Sequence, residues 1–427
     1  MNFYSTRNIS LSVPFHTAIF NGPAPDGGLF MPERIPHLAS DFFHTIESKS
    51  IIDIGFEIIR PFTSMPSDDL HGIIERSFSF KAPLVEIGDG LRFLELFHGP
   101  TLAFKDFGAR FMAQTMSYYR HNHDEINILV ATSGDTGGAV ASAFSGLNGF
   151  KVFILFPKGK VSPIQQKQLT TWDENIKAIE VEGSFDDCQR LVKTAFADKE
   201  LRAKKTFGSA NSINIARLLP QMVYYFEAYR QSDNKSNLQL IVPSGNFGNL
   251  TAGLIAKKMG LPISKFIAAT NTNDIVPDYL KTGEYHPRVS RETLSNAMDV
   301  GDPSNFARIK ALYNDSDDSF TWNKIKTDIL PHVVSDETTL ENIQKVWFEY
   351  GYLMDPHTAV AYDATKQYPG NNVVVSTAHW AKFLDTIKRA IGEDIPEIPG
   401  SLSSLINKEE YFLTIAPSFD LFKQIIF

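Results

Sequence analysis

Lys105 stands in the stretch His98-Gly99-Pro100-Thr101-Leu102-Ala103-Phe104-Lys105-Asp106, and two glycine-rich loops lie downstream of it. They are Thr132-Ser133-Gly134-Asp135-Thr136-Gly137-Gly138 and Pro243-Ser244-Gly245-Asn246-Phe247-Gly248-Asn249. Each follows an apolar run and opens a helical one. Glycines between a strand and a helix leave backbone N–H groups free at a helix N-terminus, where aligned dipoles and unpaired donors favour a phosphate or a carboxylate. Two such loops imply two anions. Lys105 is flanked by Phe104 and Phe107. Apolar surroundings disfavour a charged amine, so its proton affinity is expected to fall and its nucleophilicity toward an aldehyde to rise. The combination points to an enzyme built around an anionic cofactor and an amine.

The elements that must position these groups are legible as a pattern. From residue 91 onward short apolar runs alternate with amphipathic helices: 126–131 then 138–145, 151–156 then 163–170, and 176–181 then 185–197. The alternation continues with 238–242 then 250–259, 266–269 then 274–280, and 373–376 before 381–391. It predicts an α/β architecture of parallel sheets flanked by helices. Ligands in such sheets bind beyond the carboxyl ends of the strands, where both glycine loops and Thr377 fall. Residues 1–90 differ: they are turn-rich, with helical stretches such as 51–60 and no strand followed by a glycine loop, and read as a small N-terminal domain. The segment 285–322, rich in Asp, Asn, Ser and Pro, reads as a long loop or an insertion.

Composition sets the bounds. A chain of 427 residues predicts two or three domains with ample apolar content to bury. The single cysteine, Cys188, rules out an internal disulfide framework and fits a reducing cytosol. A net charge of -8 without a cluster of Lys and Arg argues against nucleic acid as a partner. No apolar run approaches the roughly 20 residues that span a bilayer, and the first residues lack a basic and an apolar leader region, so a cytoplasmic protein with no membrane partner is expected. The 11 histidines show no metal-ligand spacing, and no metal is expected.

Taken together, the motifs resemble the pyridoxal phosphate enzymes of fold type II, the tryptophan synthase β-like family, and within it they are most similar to the threonine synthases. The resemblance rests on Ser5-Thr6-Arg7, Ala24-Pro25-Asp26-Gly27-Gly28-Leu29-Phe30, the lysine segment, Ser133-Gly134-Asp135-Thr136-Gly137, Asn211-Ser212-Ile213-Asn214, Ser244-Gly245-Asn246-Phe247-Gly248 and Thr377-Ala378-His379. These run in one order from near residue 5 to near residue 383. The resemblance implies an N-terminal domain over 1–90 of the threonine-synthase type. It also implies a catalytic core over 91–427, made of two α/β subdomains with pyridoxal 5'-phosphate between them.

It further implies roles. Lys105 would carry the cofactor and, once released, move protons to and from the substrate. Gly245, Asn246, Phe247, Gly248 and Asn249 would hold the cofactor phosphate, and the Thr377 hydroxyl would face the pyridine nitrogen. The loop of Ser133, Gly134, Asp135, Thr136 and Gly137 would take the substrate carboxylate. Asp135 would repel that anion, so it either meets the substrate ammonium or caps the following helix. Asp106, next to Lys105, is assigned no catalytic role. The expected substrate, O-phospho-L-homoserine, carries a phosphate that needs cations: Arg110 and Lys158 are candidates, with Asn211, Asn214 and Arg217 next and Lys382 last. His379 reads as a structural histidine, and here the chain departs from the family pattern, with Trp380 where a proline is usual.

The implied reaction is a lyase reaction ending threonine biosynthesis. Phosphate leaves the γ carbon, water adds at the β carbon, and L-threonine is released, in a monomer or a homodimer. Two alternatives stand beside it. A serine or threonine dehydratase or a sulfhydrylase of the same fold would share Lys105 and the phosphate loop. A nucleotide-binding module would need a G-x-G-x-x-G spacing that neither loop has.

Overall fold

The computed structural model describes residues 1–120, 125–172, 175–314 and 318–427. Its first strands, β1 (Asn2–Ser5), β2 (Ser12–Pro14) and β3 (Phe30–Pro32), form an antiparallel sheet in the order β2-β1-β3. Short helices follow. Ile51–Ile59 begins where Ser50 and Asp53 close a reciprocal cap, each side chain accepting from the other's backbone N–H.

Next come the hairpin β4 (Leu84–Gly88) and β5 (Leu91–Glu95), then β6 (Ile126–Ala131), β7 (Phe150–Pro157), β8 (Ile176–Val181) and β9 (Thr206–Ser209). The chain continues through β10 (Gln239–Pro243), β11 (Lys265–Thr270), β12 (Ile329–Val333), β13 (Asn372–Ser376) and β14 (Phe412–Ile415). These build two sheets. A six-stranded one has the order β12-β11-β10-β13-β5-β4, parallel except at its β4 edge, and a five-stranded parallel one has the order β14-β8-β7-β6-β9.

The central strands are apolar runs because both faces are covered: every residue of β6 is buried, as are four of the five in β10 and in β13. Helices start where the sequence supplies caps. Ser162 with Gln165 opens Pro163–Thr170, and Ser184 with Asp187 opens Phe185–Ala197. Pro331 is tolerated in β12 because that strand lies at the sheet edge.

The topology explains where a ligand can bind. β6 lies between β7 and β9, and β10 between β11 and β13, so the chain leaves each of these strands toward one side and returns on the other. A crevice opens at the carboxyl end of such a strand, and both glycine loops sit there. The segment 285–322 is not a plain insertion. It carries a 3-10 turn, Asn296–Met298, and the helix Phe306–Tyr313, and its residues Ala297 and Met298 form part of the wall of the cavity described next.

Candidate active site

Lys105 opens the helix Lys105–Tyr119 and is delivered there by a tight turn. Leu102 adopts a left-handed φ of 54°. Phe104 N–H donates to the Thr377 carbonyl (2.8 Å) and His379 N–H to the Leu102 carbonyl (3.1 Å), which pins the turn to the end of β13. Lys105 and Thr377 thereby line one cavity. Asp106 is turned away from it, its carboxylate accepting from Thr101 N–H (2.9 Å) and Thr101 Oγ1 (2.7 Å).

The Lys105 ammonium donates to Thr136 Oγ1 at 3.0 Å. Burial lowers its pKa to about 8, and Arg217 and Lys382 act in the same direction while Asp135 opposes them. The neutral amine that a nucleophile needs is then about half the population at pH 8, far more than an ordinary lysine offers there.

Asp135 is the first residue of the helix Asp135–Phe144 and lines the same cavity, where its carboxylate is already paired. It is 2.7 Å from the Lys382 ammonium, which is fully buried and also donates to the Thr101 carbonyl, and it accepts from Gln165 Nε2 at 2.9 Å. Burial alone would raise the carboxyl, but the Lys382 and Lys105 charges outweigh it and hold Asp135 down to about 2. Gly134 before it has a φ of 136°, and a Cβ there would meet the Gln165 side-chain carbon at 2.5 Å, so only glycine lets Gln165 approach.

The second loop is a bare cradle. Phe247 takes a left-handed φ of 58° just before the helix Gly248–Lys258. Among the described residues, no protein acceptor meets the N–H groups of Gly245, Asn246, Phe247, Gly248 or Asn249. Five backbone donors at the start of a helix make an anion site. A Cβ on Gly245 would lie 2.6 Å from Met298 Cα and 2.8 Å from the Ala297 carbonyl, so the cradle wall closes directly on this glycine. Gly245→Ala is expected to push that wall back at a cost of about 1–3 kcal/mol. Titration of the apoenzyme by absorbance should then show pyridoxal phosphate affinity reduced by at least about tenfold.

His357, which the sequence reading did not single out, completes the wall. Its Nδ1 bonds the Asp355 carboxylate at 2.6 Å, and its Nε2 accepts from Ala297 N–H at 3.2 Å. This pairing fixes the ring between the Asp355 carboxylate and the peptide of Ala297. No spacing signal marked it, because the Asp355-Pro356-His357 turn reads as an ordinary helix start. Ser212 and Gln221 also line the cavity.

The remaining candidates divide. Arg217 lines the cavity, and its buried Nε has no partner among the described residues. Ser133 and Asn211 line the wider groove that runs out from Lys105, although the Asn211 amide is committed to both backbone groups of Ala131. Asn214 lies outside: its side chain is spent on Ile19, Ser209 and Ala216 backbone groups. Arg110 is also outside, donating to the Arg76 and Ser77 carbonyls and Ser79 Oγ. Five residues of helix rotate it by about 140° from Lys105, onto the opposite face. Lys158 is exposed and paired with Glu182 at 2.9 Å. His379 caps the turn Trp380–Phe383 through Nδ1, and burial lowers its pKa to about 4, which keeps it neutral.

The N-terminal motifs meet the same groove. Ser5, Thr6, Arg7, Gly27 and Gly28 line it, and they are knitted together by Ser5 Oγ on Asp26 (2.8 Å) and Leu29 N–H on Thr6 Oγ1 (2.9 Å).

A family model described as pyridoxal-phosphate dependent enzyme matches residues 86–378. Fold and site together define the chain as a member of that class. Two further models, threonine synthase N terminus and threonine synthase, C-terminal, match residues 2–78 and 358–426. The threonine synthase of Buchnera aphidicola from Acyrthosiphon pisum is 42% identical over 431 residues, covering 99% of both chains. The crystal structure of threonine synthase from Escherichia coli superposes with a TM-score of 0.93 at 39% identity, over 100% of this chain and 99% of that one. The pyridoxal-phosphate-bound threonine synthase from Brucella melitensis also gives 0.93, at 35% identity over 100% and 98%. The chain belongs to the threonine synthase family.

The residues present fit the cofactor of that family. Unpaired N–H groups suit its phosphate, the depressed amine of Lys105 suits its aldehyde, and the Thr377 hydroxyl, with no protein partner among the described residues, faces the same cavity.

Proposed function

We propose that this cavity converts O-phospho-L-homoserine and water to L-threonine and phosphate, with Lys105 as the group that carries the cofactor and moves protons. The observation that supports it most is the Lys105 ammonium, 3.0 Å from Thr136 Oγ1, in a cavity bounded by an N–H cradle on one side and the Arg217 guanidinium on another. Bound there, pyridoxal phosphate supplies an electron-withdrawing ring conjugated to the substrate's α carbon.

The chain's own groups do the rest. Gly245 to Asn249 would hold the cofactor phosphate through their N–H groups, and the Thr377 hydroxyl would be the partner for the ring nitrogen. The N–H groups of Ser133 and Thr136 and their hydroxyls hold the substrate carboxylate. Lys105, neutral above about pH 8, takes the α proton and then a β proton as the γ C–O bond breaks, and returns protons at the γ and α positions once water has formed the β C–O bond. Arg217 takes the role first expected of Arg110 and Lys158, opposing the negative charge on the departing phosphate. Lys382 keeps Asp135 from competing as an anion in the carboxylate site. The N-terminal residues Ser5 to Arg7 and Gly27 to Gly28 wall the groove against water, in a domain that ends before β4 (Leu84–Gly88), the edge strand of the core sheet, rather than at residue 90. The protein works in the cytoplasm, on a small molecule and without nucleic acid, as a monomer or a homodimer; among the described residues no helix is long and apolar enough to cross a membrane.

Phosphate release from O-phospho-L-homoserine, set against ammonia release from L-serine and L-threonine, tests the reading. Phosphate release alone supports it, and ammonia release alone would make the protein a dehydratase. Arg217→Met is expected to raise KM for O-phospho-L-homoserine by about 10²-fold while leaving the visible spectrum of the bound cofactor in place.

A further inference from the structure

One short stretch touches both anion loops. Residues 295–299 lie across the crevice, and each contact is made by a different group. Asn296 Nδ2 reaches the Ser133 carbonyl and Gln165 Oε1, both at 3.4 Å, the long limit of a hydrogen bond. Asn296 Oδ1 is buried with no partner among the described residues. On the other side, Ala297 N–H is held by His357 and Met298 packs on Gly245. The end of the stretch is tied down separately: Asp299 accepts from Thr293 N–H (3.0 Å) and Oγ1 (2.7 Å), Asn271 Nδ2 (2.9 Å) and Asn273 Nδ2 (3.1 Å).

We propose that residues 295–299 form a strap that couples the Ser133 loop to the Gly245 cradle, with Asn296 and His357 as its positioning residues. The strap is stiff because it is anchored on both sides. Asp299 fixes the strap to the loop after β11, and His357, itself oriented by Asp355, fixes the peptide that abuts Gly245. Neither anchor leaves the strap free to slide. Among the described residues Asn296 is then the only side chain of the strap bonded to the other half of the molecule, and its two long contacts and unsatisfied carbonyl leave room to tighten. A ligand that orders the Ser133 loop shortens those contacts and presses Ala297 and Met298 onto the cradle. The substrate half of this inference rests on the reading of the Ser133 loop as the carboxylate site; the cofactor half does not.

The test uses the holoenzymes of Asn296→Ala, His357→Phe and His357→Gln. KM and kcat for O-phospho-L-homoserine are measured, together with pyridoxal phosphate affinity by titrating each apoenzyme and the melting temperature. Asn296→Ala is expected to raise KM about tenfold with kcat within about threefold, and to weaken pyridoxal phosphate binding by about threefold to tenfold although Asn296 touches no residue of the cradle. His357→Phe is expected to weaken pyridoxal phosphate binding by more than about tenfold, and His357→Gln, whose amide can accept from Ala297 and donate to Asp355, to restore most of it. Wild-type cofactor affinity in Asn296→Ala would overturn the coupling. So would a His357→Gln variant that binds the cofactor as poorly as His357→Phe while melting at the wild-type temperature. If His357→Phe does not fold, Asn296→Ala, at a partly buried position, still decides. A wild type inert on O-phospho-L-homoserine would remove the substrate reading but leave the pyridoxal phosphate titrations to judge the strap.

Discussion

Lys105→Ala is expected to lower turnover of O-phospho-L-homoserine by at least about 10³-fold and to abolish the covalent, borohydride-fixable link to the cofactor. Both losses follow from one side chain. The amine is buried and its pKa lies near 8, so it is the nucleophile available to an aldehyde held on the Gly245 cradle; Lys382, the other buried amine nearby, is locked to Asp135 and the Thr101 carbonyl. The cradle itself is untouched, so the variant should still bind pyridoxal phosphate non-covalently, with the spectrum of the free aldehyde. Absorbance before and after borohydride, with phosphate release as the activity, reads both effects. A variant that keeps a borohydride-fixable chromophore would transfer the role to another lysine.

Lys382→Met carries the second large effect. The methionine leaves Asp135 buried with Gln165, the more distant Lys105 and His357 to face it, and breaking a buried pair from one side costs about 3–5 kcal/mol. The melting temperature should fall accordingly, and Asp135→Asn combined with Lys382→Met should recover a good part of the loss, because the pair is then removed from both sides. The chemistry shifts as well, with a definite sign. Lys382 lowers the proton affinity of Lys105 and Asp135 raises it, so deleting Lys382 removes the first influence and concentrates the second. The pH at which the apoenzyme captures pyridoxal phosphate half-maximally should therefore move upward from about 8. An unchanged midpoint, or a single variant as stable as wild type, would contradict the pairing.

The parts of the molecule that could be read from residues alone are those where local rules suffice. Strand, glycine loop and helix occur at 126–144 and 239–258 because apolar runs buried on both faces must be parallel strands and glycines must end them. Pro163–Thr170 and Phe185–Ala197 match their expected bounds because Ser162 and Ser184 cap them. The helix Asp135–Phe144 begins three residues before the expected 138, since its first turn is built from the glycine loop itself.

What escaped depends on the third dimension. Arg110 has the right charge five residues from Lys105, but helical rotation turns it to the N-terminal domain. Lys158 follows β7 into solvent. Lys382, ranked last among the cations, is the one buried beside Asp135, because the turn Trp380–Phe383 folds it back under the Thr101 turn. His357 and the stretch 295–299 gave no signal at all: their use comes from a polar segment folding across the crevice, and polar composition alone reads as loop. β12 was passed over because proline and histidine interrupt its apolar run, which an edge position tolerates.

The most direct measurement places wild type and Lys105→Ala side by side with O-phospho-L-homoserine, recording the visible spectrum, released phosphate and L-threonine in the same samples. Yellow wild-type protein forming phosphate and threonine in equal amounts, with an inactive variant, is the expected result. Phosphate without threonine, or equal activity in the two proteins, would contradict the assignment of this cavity and of Lys105 within it.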